Sequence, residues 1–270
     1  VKVTFLDHMG SDLEVVNDAR VSFGKVSEWG RNPSCPLCQE QAGHDCGYLK
    51  EGDAKLIQFL ARGCTSGDWD DTLTRFKFAS EFFTCDEDVS DALRVVRNMP
   101  THWTPFGQQI VKLHIKAPIF VARQLFKHSV GSAGGDMTVE NEMSRRYVSE
   151  TPEFYFPANW REASSDRKQG SGGRHEYSGD FMLEASAVYC KALLVYQEMI
   201  ERGIAPEQAR MVLPQSTYTE WRTTGSLYYW AMLYRARSRS DAQKEVQDVA
   251  RQIAAIIEPL FPVSWKALTT

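Results

Sequence analysis

The chain has 270 residues, 43% of them hydrophobic and 24% charged, with a formal net charge of −4 and a pI of about 5.9. Such a chain can bury a full core in one or two domains, which excludes intrinsic disorder, and its acidic balance excludes the basic field that non-specific nucleic-acid binding needs. No apolar run of about eighteen residues appears and Val1-Lys2-Val3-Thr4 carries no signal-peptide pattern, so a cytoplasmic protein without membrane or nucleic-acid partners is expected, its six cysteines being reduced thiols or metal ligands.

Val3 and Phe5, ahead of the turn-prone Met9-Gly10-Ser11-Asp12, predict an N-terminal strand and turn. Next comes Cys35-x-x-Cys38, followed by His44 and Cys46. Two thiolates, an imidazole and a third thiolate would form a tetrahedral structural zinc site, stapling a loop too polar to fold alone. The alternative is a surface loop with incidental reduced cysteines. Cys64, Cys85 and Cys190 lack ligand spacing and read as packing residues. Trp69, Phe76, Phe78, Phe82 and Phe83 predict a small helical lobe within the same insertion.

From 110 to 116, Val111, Leu113 and Ile115 alternate with Lys112, His114 and Lys116, which predicts a strand with one face in a core. Pro118 then suits a helix start, and a helix over 117–129 would place Gln124 with His128, and Arg123 with Lys127, along common faces. Residues 162–177 are polar and glycine-rich and read as a mobile surface loop. A long helix over 180–202 follows, with Phe181, Ala185, Val188, Ala192, Val195 and Met199 at helical spacing and Gly203 as its stop. Pro206 opens a short helix closed by Pro214, and Val246, Val249, Ala250, Ile253 and Ile257 mark the last one. With no repeat or long linker, a single domain over 1–270 with an insertion at about 30–100 is expected.

Lys127-His128 and Asn141-Glu142-Met143-Ser144-Arg145-Arg146-Tyr147 bring cations, a carboxylate and hydrogen-bonding side chains into one short stretch. That mix suits a phosphorylated, planar, polar ligand. The stretch resembles the signature of the flavin-dependent thymidylate synthases. So do Asp7-His8-Met9-Gly10-Ser11-Asp12-Leu13, Ala19-Arg20-Val21-Ser22-Phe23, His102-Trp103-Thr104-Pro105-Phe106, Lys116 to Gln124, Glu207 to Pro214 and Thr224-Gly225-Ser226, all in the family's order. About two-thirds of the chain is covered.

The resemblance implies an α+β fold, a mixed sheet with long helices, and C5-methylation of a uridine monophosphate, dUMP or also UMP. It implies FAD, NADPH as reductant, methylenetetrahydrofolate as carbon donor, and a homotetramer with shared active sites. By the same match Gln124, Ser144, Arg145, Arg146, Arg210 and Arg237 would hold the nucleotide, and the catalytic residues would be Arg237, which orients the pyrimidine, and His102, near the flavin ring. Ser22, Thr104, Lys127, His128, Ser129, Glu142, Ser226 and Asp241 fall at flavin-site positions. Taken alone, Arg210 or Arg237 on a helix would read as solvated or paired, and His128 as a dipole partner; the matched motifs reverse that reading.

The chain also departs from the pattern. Lys127 replaces an arginine, Ser129 a basic residue, and 131–140 lengthens the spacer by about seven residues, while Tyr228 and Asp241 stand where arginine and histidine are common. An ammonium lacks the bidentate fork of a guanidinium. A rival reading from another class is therefore a catalytically idle nucleotide-binding protein. A zinc-stapled RNA-binding protein fits poorly, because aromatic and basic residues are not interleaved.

Overall fold

The computed structural model describes residues 1–40, 46–62, 102–128, 138–146, 150–164 and 170–270. In chain order the helices are α1 (Asp12–Arg20), α2 (Pro36–Glu40), α3 (Glu51–Arg62), α4 (Thr104–Gln108), α5 (Ile119–Phe126), α6 (Ser178–Glu201), α7 (Pro206–Ala209), α8 (Leu227–Arg237), α9 (Lys244–Ile257) and α10 (Pro262–Thr269). The strands are β1 (Lys2–Met9), β2 (Ile110–Pro118), β3 (Thr138–Glu142), β4 (Arg161–Ala163), β5 (Ser171–Arg174) and β6 (Tyr218–Ser226). The α+β class expected from the sequence is the observed one. The chain divides into two compact units.

The first unit comprises Val1–His8, Val111–Gly225 and Tyr229–Ile256. Its sheet has the order β1-β2-β6-β3, so the C-terminal strand β6 lies between two earlier ones. β3 pairs with β6 antiparallel, with Glu142 opposite Trp221 and Thr138 opposite Gly225. The alternation expected for β2 is present: Val111 and Leu113 are fully buried and Ile115 nearly so. Trp221 and Trp230 complete the largest part of this core, and the Trp230 indole N–H donates to the carbonyls of Val111 at 3.2 Å and Gly225 at 3.1 Å. Gly225 is required there: a Cβ would come within 2.8 Å of the Tyr229 ring. Val246, Val249, Ala250 and Ile253 of α9 are fully buried at the spacing read from the sequence.

The second unit comprises Met9–Ile110, Ser226–Tyr228 and Ile257–Thr270. Val15, Val16, Ile57, Phe106, Leu227 and Phe261 are fully buried in it. Its most telling contact spans the sequence. The buried Asp12 carboxylate accepts the Val263 and Ser264 N–H groups at 2.8 and 2.9 Å, capping the start of α10. Burial pushes the Asp12 pKa up, against the opposing hydrogen bonds from Ser264 and Val263.

Several sequence expectations are corrected. The helix expected over 117–129 begins at Ile119, because Ala117 and the extended Pro118 continue β2, and it ends at Phe126, where His128 N–H bonds back to the Leu125 carbonyl. His128 therefore lies beyond the helix and does not share a helical face with Gln124. The expected loop at 162–177 contains the β4–β5 hairpin, with 165–169 outside the described residues. The helix over 244–257 is not the last, since α10 follows. Cys190 is exposed on α6 and is not a packing residue. The long helix ends where expected, and Gly203 takes φ +81°, a left-handed conformation glycine adopts without strain. Cys64, Cys85 and the aromatic residues of the expected lobe lie outside the described residues. Among the described residues, no helix is long and apolar enough to cross a membrane.

Candidate functional site

In the first unit, a cavity of about 410 Å³ is lined by Glu142, Ser144, Arg145, Arg146, Arg210 and Thr219, closed on its apolar side by Ile119, Met143 and Leu213. Three elements build it. Glu142 ends β3, and the chain leaves that strand through Met143, whose N–H donates to the Glu220 carbonyl at 2.8 Å and so fixes the exit of Ser144, Arg145 and Arg146. Arg210 arrives from the short helical turn after α7, started by Pro206. Thr217, just before β6, and Thr219 within it bring the N-terminal end of that strand to the same place. The volume falls within the range of small-molecule sites.

Three guanidiniums thus face one carboxylate. Glu142 accepts the Thr219 hydroxyl at 2.6 Å, while Arg146 Nε donates to Ser144 Oγ at 3.2 Å. Arg145 donates to the Glu150 carbonyl at 3.0 Å and Arg210 to the Glu207 carbonyl at 3.3 Å, and neither pairs with a carboxylate among the described residues. Such a set attracts an anion, and arginine forks match the oxygens of a phosphate.

Gln124, His128 and Arg237 form a separate group in this unit. Gln124 donates to Gln243 at 2.6 Å, and Arg237 donates to the Gln124 carbonyl at 3.0 Å. His128 is buried with its ring 5.5 Å from that of Tyr229. Desolvation, then the charge of Arg237, pushes its pKa down to about 4, so the imidazole is neutral at pH 7. Nε2 of His128 and Nε of Arg237 are buried without hydrogen-bond partners. Buried orphan groups of this kind are costly unless a ligand completes them. Lys127 is exposed beside them, and Asp241 is engaged with Arg239 at 3.1 Å.

In the second unit, Ser22 is exposed on a short 3₁₀ turn, His102 stacks near Phe59 with ring centroids 5.5 Å apart, Thr104 opens α4 and Ser226 is buried at the end of β6. Cys35, Cys38 and Cys46 converge there, their sulfurs all within 4.8 Å of one another. Ser129 and His44 lie outside the described residues. Sequence reading missed Thr217, Thr219 and Gln243. Thr217 lies just before β6 and Thr219 is its second residue, and neither stands in a motif that would mark it.

A family model described as "Thymidylate synthase complementing protein" matches residues 4–263. This chain belongs to the flavin-dependent thymidylate synthase family. It is therefore an enzyme of the methyltransferase kind. A flavin-dependent thymidylate synthase from Thermus thermophilus is 29% identical over 265 residues, covering 98% of this chain and 74% of that relative. One from Thermosipho africanus is 35% identical over 170 residues, 62% of this chain and 71% of the relative. A crystal structure of the UMP/dUMP methylase PolB from Streptomyces cacaoi, bound with 5-Br dUMP, aligns with a TM-score of 0.66 at 26% identity over 99% of this chain and 94% of that one. The 5-Br UMP complex, at 23% identity and a TM-score of 0.68, shares the fold.

Proposed function

We propose that this chain methylates C5 of a uridine monophosphate, dUMP or UMP, taking the carbon from methylenetetrahydrofolate in a reaction dependent on FAD and recharged by NADPH. The observation that carries the reading is the cavity in which Ser144, Arg145, Arg146 and Arg210 meet. It has the charge and size for a nucleotide phosphate. Family membership and the likeness to a UMP/dUMP methylase support the rest.

In this reading Arg146 and Arg210 hold the phosphate, and Ser144 Oγ, which accepts from Arg146, keeps that fork in place. Arg237 and the neutral His128 offer orphaned buried nitrogens, which fit the hydrogen-bonding edge of a flavin or a pyrimidine ring. Bound reduced flavin would supply the hydride that completes the methyl group. Arg237 would then favour negative charge developing on the base. Catalysis rests largely on positioning, an effect worth about 7–11 kcal/mol with correct geometry.

We further propose a homotetramer with shared sites. On α6, Phe181, Leu183, Val188 and Leu194 are exposed apolar side chains, and Tyr196 is the single buried apolar residue of the helix. Phe181 and Val188 lie on one side of the helix and Leu183 and Leu194 on the opposite side, and a long helix with exposed apolar side chains on two sides suits subunit contacts. Assembly of the phosphate cavity of one protomer with the Gln124, His128 and Arg237 group of another would follow.

The test is an assay of purified protein with FAD, NADPH and methylenetetrahydrofolate, offering dUMP and UMP in parallel and identifying the product by mass. A 5-methyl product from either nucleotide supports the reading. Nucleotide binding with no flavin uptake and no product would replace it with the idle nucleotide-binding protein.

A further inference from the structure

We infer that Cys35, Cys38 and Cys46 hold a structural zinc ion that ties Cys46 to the turn and short helix carrying Cys35 and Cys38. Their three sulfurs lie within 4.8 Å of one another, and those of Cys38 and Cys46 are 3.2 Å apart. Tetrahedral zinc with Zn–S bonds of about 2.3 Å sets thiolates about 3.8 Å from each other, so small side-chain rotations suffice to admit the ion.

The backbone prepares this arrangement. Gly30 N–H donates to the Tyr48 carbonyl at 2.8 Å, closing the base of the loop. Asn32 turns the chain into the first thiol pair: its carbonyl accepts Cys35 N–H at 3.1 Å and its side chain accepts Ser34 N–H at 2.9 Å. The Cys35 carbonyl then accepts Gln39 N–H, so α2 lifts Cys38 back over Cys35. After Cys46, Gly47 takes φ +66° and turns the chain back toward the bridge.

Apolar packing does not explain the loop. Among its described residues between Gly30 and Tyr48, Cys38 is the one buried hydrophobic side chain, and Leu37 is 46% exposed. Thiolate-rich zinc sites are structural cross-links, and three thiolates leave the fourth tetrahedral position to a further side chain or a water. Binding releases the three thiol protons to solvent and changes no oxidation state. His44 lies outside the described residues, and the three thiols are the ligands assigned. The loop leads into α3, whose Asp53 accepts Arg20 at 2.5 Å and Ser27 Oγ at 3.0 Å, so the ion would also steady the segment around Ser22.

Elemental analysis of the full chain, produced with zinc in the medium and purified without chelator, should give about one zinc per chain, and its X-ray absorption should show three sulfur neighbours near 2.3 Å. Cys35→Ser and Cys38→Ser should each lose the zinc and melt at lower temperature, whereas Cys190→Ser should keep the full zinc content. Should the serine variants fail to fold, zinc release from the native chain to a colorimetric chelator gives the same count. A zinc-free chain with three freely titrating thiols, a Cys38–Cys46 disulfide by mass spectrometry, or iron in place of zinc would overturn the assignment. The readout is metal content, so it stands or falls independently of the proposed reaction.

Discussion

Two regions of the first unit use the same guanidinium in opposite circumstances. Around the cavity, Arg145 and Arg210 donate to main-chain carbonyls and meet no carboxylate among the described residues. At the start of β4, Arg161 spans both oxygens of Glu245 at 2.8 and 2.9 Å, and that carboxylate is only 4% exposed. An arginine saturated by a buried carboxylate acts as a strut, because neither charge can leave without stranding the other. One facing an open cavity can exchange water for an incoming phosphate. Residue type does not distinguish them; the neighbouring acceptor does.

Removing the strut should produce the largest effect. Arg161→Ala strands the buried Glu245 and is expected to cost about 3 kcal/mol of stability, measured by denaturant unfolding. Burial opposes the Glu245 charge, yet hydrogen bonds from its own N–H, from Arg161 and from Gln243 outweigh it and hold its pKa below the usual glutamate value. The stabilisation is thus present above the ordinary carboxylate range and is lost as pH falls through the lowered pKa. In Arg161→Ala that acid dependence should reverse, with the buried carboxyl preferring its protonated form.

Arg210→Ala sharpens the contrast from the other side. It should weaken dUMP or UMP binding by about 1.5–3 kcal/mol, roughly 10- to 150-fold in Kd by calorimetry. Stability should stay within about 0.5 kcal/mol, since Arg210 is exposed. Unchanged affinity would remove Arg210 from the nucleotide site.

A smaller effect belongs to His128, whose folded pKa of about 4 lies below the unfolded value near 6.5. The unfolded chain then binds the extra proton between those values, so stability falls as pH drops through that window. Acidification from pH 7 to about 5.5 should cost about 1 kcal/mol at this residue, and His128→Gln should flatten that slope. Arg237→Ala should raise the His128 pKa, read by NMR titration, because it removes the second cause of the depression.

Much of this was legible in the sequence, unevenly. β2 and the helix over 244–257 declared themselves because burial on one face repeats with the period of the element, and that pattern is local. Ser144, Arg145 and Arg146 were legible as one motif, and Arg210 through a second motif far along the chain. Thr219 and Gln243 were not singled out, since a threonine in a strand and a glutamine before a helix are ordinary until something packs beside them. Both ends of α5 misled for a related reason: its first N–H groups are taken by the Thr217 and Gln215 carbonyls, which keep Pro118 extended, and at its end the His128 N–H turns back to the Leu125 carbonyl although the periodicity ran on to Ser129.

The order of residues alone determined the family, the α+β class, the main periodic elements and the concentration of cationic and hydrogen-bonding side chains in the Ser144-Arg145-Arg146 stretch. Tertiary structure alone decided that Arg237 bonds to the Gln124 carbonyl and leaves Nε buried, that Asp12 caps a helix some 250 residues away, and which arginines meet a carboxylate. Periodicity and capping chemistry act over a few residues and are written in local sequence. Partnership between distant side chains exists only once the core has fixed where each element lies.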